Sequence, residues 1–169
     1  KDRCKIIISD KLHCATTYAL GRMVAATCSF QKLGLNPFEF FRSNNEMIEG
    51  FFFHTYSPGG SSRMYLSEQN AGRVDYFRYT IEKWFTENKI NEQEYRYLLA
   101  CLIESVSLVS NTAGVYGAFL KKWDARALKD IQFLDISDGI GIEHEISAIT
   151  DKLENIIESV QCDILYLDP

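Results

Sequence analysis

The run "CDILYLDP", Cys162 to Pro169, sets a carboxylate and a proline directly after the apolar residues Ile164, Leu165, Tyr166 and Leu167. Proline has no N–H and a fixed φ, so its carbonyl and the preceding carboxylate can project together into a cleft as two hydrogen-bond acceptors. A neutral amino group is the natural partner of such a pair; the alternative is a plain turn that ends a strand. Two more aspartates stand at comparable places, Asp10 after the β-branched run "CKIIIS" and Asp151 at the opening of "DKLENIIESV". A carboxylate just past a strand can accept hydrogen bonds from both hydroxyls of a ribose, and it can equally cap the helix that follows.

Such residues act together only if the segments around them form an open parallel sheet, where ligands collect beyond the carboxyl ends of the strands. "CKIIIS" predicts a fully buried strand of that kind. A helix is expected from Ala15 to Phe30, with Tyr18, Ala19, Met23, Ala26 and Phe30 at spacings of three and four, closed by Gly34 and Pro37. Residues 35–68 are less regular, with a turn at Ser57-Pro58-Gly59-Gly60 and a short strand expected on either side. Ser67 opens a helix with the apolar stripe Val74, Phe77, Ile81 and Trp84, ending near Asn88. Asn91 and Glu94 form a capping box for another, whose Tyr95, Leu98, Leu99, Leu102, Ile103, Val106 and Val109 face inward. From Asn111 to Lys129 the glycines and lysines predict a loop leading into a short helix. "IQFLDIS" predicts a strand, followed by an acidic stretch, a helix from Thr150 to Val160 and a terminal strand from Asp163 to Leu167. The pattern is that of an α/β domain with a largely helical element set into it.

A composition of 46% hydrophobic and 24% charged residues over 169 positions excludes a disordered chain. No segment approaches the roughly 18 apolar residues of a membrane span, and the opening residues lack a signal-peptide core, so no membrane partner is expected and a reducing cytoplasm is the expected location. The five cysteines are odd in number and show no CxxC spacing, which speaks against a disulfide framework and a zinc site and leaves them as small core hydrophobes. His13, His54 and His144 are scattered, so no metal site is predicted. Charge is uneven: residues 1–60 carry seven Lys/Arg against five Asp/Glu, residues 61–129 ten against eight, and residues 130–169 one against ten. A DNA-facing surface fits only the mildly basic middle, although the overall charge of −5 lends it no support.

"DILYLDP" resembles the start of the D-P-P-Y motif of adenine-specific DNA methyltransferases. "YSPGGSSRMYLSEQNAGRVDYFR", "YLLACLIESVSLVSNTAGVYGAFLKKW" and "ITDKLENIIESVQCDILYLDP" resemble, in order, the middle of the subgroup whose recognition insertion precedes that motif. The resemblance implies a Rossmann-like cofactor domain at residues 1–35, an inserted target-recognition region at 36–129, and the catalytic domain continued at 130–169. It implies S-adenosylmethionine as methyl donor, with Asp10 at its ribose and Asp151 near its adenine ring, and Asp168 and Pro169 as the catalytic acceptors for the amine of a flipped adenine. Double-stranded DNA would be the partner, and a paired restriction endonuclease would belong to the same system. The family's F-x-G-x-G turn would precede Lys1 and its base-stacking aromatic would follow Pro169, so the chain reads as an internal piece, expected to be inactive alone.

Within the insertion, Arg63, in a Ser/Gly loop, and Lys121, Lys122 and Arg126, near the glycines of "AGVYGAF", are the candidate DNA contacts. Each can also be a solvated surface charge. Tyr116 and Phe119 fit the core better than base stacking. A non-catalytic nucleic-acid-binding module, or a methyltransferase acting on RNA or a small amine, is the alternative.

Overall fold

The computed structural model describes residues 4–114, 117–137 and 145–167. Asp168, Pro169, Tyr116 and His144 lie outside them. Strand β1 (Lys5–Asp10) pairs in parallel with β2 (Glu145–Thr150), in a register running from Lys5↔Glu145 to Asp10↔Thr150. Helix α1 (His13–Val24) crosses both strands, and Thr16 Oγ1 meets Thr150 Oγ1 at 2.9 Å. With two strands among the described residues and this helix against them, Ile6, Ile7 and Ile8 are half-buried, not fully buried as their apolar run predicts.

Helix α1 stops short of Phe30. A single tight turn, Ala25–Thr27, follows it, Cys28 is extended, and Phe30 takes φ 51° so that its N–H donates to Glu94 Oε1 at 2.6 Å. Residues 35–68 hold two short helices, α2 (Pro37–Arg42) and α3 (Phe51–Tyr56), and no strand. Asn36 caps α2 through Phe38 N and Glu39 N, with Pro37 at the first helical position, where its missing N–H costs nothing. Helix α3 is capped at a distance: buried Asp75 accepts from Gly50 N, Phe52 N and Phe53 N at 2.8–3.2 Å. A β-carbon on Gly50 would come within 2.8 Å of that carboxyl, so the chain can close there only as glycine.

The two long helices agree with the expectation. Helix α4 (Glu68–Thr86) is capped by Ser67, and α5 (Glu92–Val109) by the Asn91–Glu94 box. Val74, Phe77 and Ile81 are fully buried, and the rings of Phe41, Phe77 and Phe133 meet at centroid distances of 4.5–5.1 Å. Helix α1 packs on α5 so closely that a β-carbon on Gly21 would lie 2.5 Å from Arg96 O and 2.6 Å from Ala100 Cβ.

Four expectations fail after α5. Residues 121–129 form successive turns, Ala127 N to Asp124 O and Lys129 N to Arg126 O, instead of a short helix. Ile131 to Ser137 is no strand, although Ile131 and Phe133 are buried and Gln132 is exposed in strand-like alternation. Its N–H groups go to helix side chains, Ile131 N to Asn70 Oδ1 and Leu134 N to Ser105 Oγ, so it runs as a strap across α4 and α5. The strand lies instead at Glu145–Thr150, inside the expected acidic stretch, and helix α6 covers only Leu153–Ile156. Residues 163–167 pair with neither strand, and Ile164 and Tyr166 are 88% and 84% exposed.

Only Cys101 is buried; Cys28 is half-buried and Cys4, Cys14 and Cys162 are exposed, against the expectation of core hydrophobes. Burial pushes the Cys101 thiol up to about 12, and burial with the Glu94 carboxylate pushes Cys28 up to about 12. Thiolate is the reacting form. Iodoacetamide at pH 8 is therefore expected to label Cys14 before Cys28 or Cys101, as read by peptide mass spectrometry. Equal labelling of all three would contradict the packing of α1 on α5.

Among the described residues, no helix is long and apolar enough to cross a membrane, and no cluster of three His, Cys, Asp or Glu could hold a metal ion.

Candidate functional site

The parallel register fixes where two of the predicted residues meet. Asp10 is opposite Thr150, so Asp10 and Asp151 emerge side by side from the carboxyl ends of adjacent strands. Both are exposed. Asp10 Oδ1 accepts from Leu12 N at 2.7 Å, which turns the chain into α1, whose N-cap position has no side-chain cap of its own. Asp151 Oδ1 accepts from Asn155 Nδ2 at 2.9 Å and Lys152 N at 2.7 Å. The Asn155 amide, then the Lys152 N–H, holds the Asp151 carboxyl below the usual carboxylate range. In each carboxylate, Oδ2 has no hydrogen-bond partner among the described residues. The edge thus offers two carboxyl acceptors, each held in place by its own turn.

A second arrangement is centred on Asn111, which is fully buried. Its Nδ2 donates to Met64 O and Leu120 O, both at 3.0 Å, and its Oδ1 accepts from Asp124 N at 3.0 Å. Its main chain bonds Tyr65 O and Leu120 N. One side chain therefore ties together the two loops that carry Arg63 and Lys121-Lys122. Ser57 and Ser61 fold the Arg63 loop back on α3, with Ser57 Oγ donating to Phe53 O and Ser61 Oγ to Thr55 O. Arg63, Lys121 and Lys122 are exposed and form no ion pair among the described residues. Arg126 differs: its Nη2 donates to Ser110 O at 3.0 Å and Thr112 O at 3.4 Å, so the guanidinium clamps the loop that follows α5.

Residues 19–169 match the model of the D12 class N6 adenine-specific DNA methyltransferases. The chain belongs to this family. Among curated relatives, it is 41% identical over 144 residues to the type II methyltransferase M.FokI of Planomicrobium okeanokoites, covering 82% of this chain and 22% of that protein. It is 37% identical to the modification methylase LlaI of Lactococcus lactis subsp. lactis, over 82% of this chain and 23% of the relative. To the type II methyltransferase M.NlaIII of Neisseria lactamica it is 39% identical, over 72% and 36%. The chain thus spans between about a fifth and a third of the relatives it matches. No solved structure matches it.

Within this methyltransferase chain the sequence reading missed Asn111 and Asp75. A polar residue just past a helix reads as a loop residue, and nothing local tells that Asn111 is enclosed. For Asp75 the signal was weak but present: a carboxylate inside the buried stripe side of α4 must find donors or be excluded from the core.

Proposed function

We propose that the full-length protein is a site-specific DNA methyltransferase that moves a methyl group from S-adenosylmethionine to the exocyclic amine of adenine. One observation carries the reading: β1 and β2, separated by the whole stretch 36–129, pair in parallel and bring Asp10 and Asp151 to one edge. That supports a Rossmann-like sheet from residues 1–35 and 130–169, with residues 36–129 as the inserted recognition region.

The residues present fit the donor. The exposed Asp10, whose Oδ2 has no partner among the described residues, suits a ribose hydroxyl, and the Asp151 carboxylate, kept ionised by Asn155 and Lys152, suits an adenine amino group. S-adenosylmethionine, when bound, supplies an electrophilic methyl on its sulfonium. Asp168 and Pro169 then act on the other reactant. Adenine's amine is a poor nucleophile because its lone pair is delocalised into the ring; acceptors on both N–H bonds return electron density to nitrogen and hold it in line. Positioning and electrostatics supply the rate. The base must leave the duplex first, at a cost of a few kcal/mol.

The DNA lies on the Asn111-centred loops, where Arg63, Lys121, Lys122 and Arg126 are the cationic groups, with Arg126 also holding the loop. A paired restriction endonuclease and a cytoplasmic location complete the reading. Methylation assays with labelled donor on full-length protein and mixed-sequence duplex DNA test it, with label expected at adenine N6. Replacing Lys121 and Lys122 by alanine is expected to weaken duplex binding and reduce the salt slope by about one unit for each phosphate no longer neutralised. An unchanged slope would place the DNA elsewhere.

A further inference from the structure

A row of aromatic rings crosses the surface between the same two loops. Phe51 meets Phe52 and Tyr56 at 5.5 and 5.7 Å, Tyr56 meets Tyr65 at 5.6 Å, and Tyr65 meets Phe119 at 5.2 Å. All four contacts are edge-to-face, at 67–83°, so each ring is braced by its neighbour. None of these five residues belongs to the buried core, and Phe51, at the outer end, is 64% exposed. The expectation that Phe119 fits the core is corrected here: it is half-buried at the inner end of the row.

Exposed aromatic surface next to water is unfavourable unless something covers it, and its surroundings indicate what. Residues 51–66 and 117–123 carry Arg63, Lys121 and Lys122 and not one carboxylate. Asn111 fixes Tyr65 and Leu120, and so sets both the rings and the cations from beneath. Aromatic faces on the segments that also carry these exposed cations, none of them in an ion pair among the described residues, suit a nucleic-acid strand, whose bases stack while its phosphates pair.

Resting on the reading of a DNA-acting enzyme, we infer that this row stacks an unpaired base of the bound DNA, with Phe51 as the contacting ring. Base flipping leaves bases without a stacking neighbour, and a rigid ring at the strand surface receives one at little cost in entropy. Phe51 is thereby a DNA contact separate from the acceptor pair.

The test uses full-length protein and two duplexes, one fully paired and one with a single bulged 2-aminopurine. Wild type is expected to bind the bulged duplex about tenfold more tightly and to quench its fluorescence, the scale of one stacked base. Phe51→Ala is expected to lose both effects without changing the salt slope, and Phe51→Trp to keep them. Phe51→Leu, which keeps apolar bulk without a ring face, is expected to behave as alanine does. If Phe51→Ala retains the preference and the quenching while the double lysine variant lowers the slope, the ring row is covered by protein and the inference falls, with the DNA reading intact. Retention by Phe51→Leu overturns stacking in favour of simple apolar contact. If neither duplex binds wild type, or the lysine variant is without effect, the DNA reading itself fails at this surface.

Discussion

Asp168→Ala in the full-length enzyme is expected to abolish methylation, a loss of about a thousandfold or more, while the donor's dissociation constant stays within about threefold. In the proposed mechanism the carboxylate acts on the target amine, where charge develops as nitrogen attacks, so its loss is expected in the chemical step. Asp10→Ala should behave in the opposite order. It removes an acceptor at the β1 edge, far from the amine in role, and should weaken donor binding first. Calorimetry with donor, together with single-turnover methylation, separates the two variants. A large loss of donor binding confined to Asp168→Ala would exchange the roles assigned here.

Asp75→Ala should uncouple α3 from α4. The carboxylate is buried and accepts three main-chain N–H bonds, and α3 has only six residues and no local side-chain cap. Removing it leaves those donors unsatisfied, at about 3 kcal/mol in total, a large share of a domain's stability. Hydrogen exchange followed by mass spectrometry should show peptides covering residues 50–56 losing protection by about a hundredfold, with the interior of α5 much less affected. Asp75→Asn keeps a carbonyl acceptor and should lose less. Unchanged exchange in the alanine variant would mean that ring packing, not the carboxylate, holds α3.

The sequence was most legible where the physics is local. Ser67, Asn91 and Glu94 announce the starts of α4 and α5, and the α4 stripe is wholly buried. On α5 only Leu98, Leu102 and Val109 of the expected stripe are buried, while Tyr95, Leu99, Ile103 and Val106 are half-buried and Tyr97, Ala100, Cys101 and Ser105 join the core. Asn36-Pro37 carries an equally good helix start, but after Gly34 the proline reads as the close of the preceding helix. Where partners come from far along the chain, the reading fails. The alternation of Ile131 and Phe133 is strand-like, yet Asn70 and Ser105 take the N–H groups a neighbouring strand would need. Glu145–Thr150, with serine and alanine at its centre, lacks the apolar run of a buried strand and is a strand because β1 is beside it. Of the candidate site residues, Asp10 and Asp151 were placed by resemblance and are brought together by register. The basic residues were found by type, but the Asn111 link that unites them depends on burial and distance, which no spacing encodes.

Gly21 has a consequence for anyone wishing to exchange segments of this chain with those of its relatives. Exchanging residues 36–129 between relatives treats that stretch as a cassette with clean edges. The close approach of Gly21 to Arg96 and Ala100 crosses such an edge at backbone distance. A donor cassette with a larger residue than alanine at position 100 would push α1 away, and with it Thr16, which holds the end of β2 beside Asp10. Chimeras are therefore best made with alanine kept at position 100, or with the α1 face transferred too, so that the exchange does not displace α1 and the β1–β2 edge.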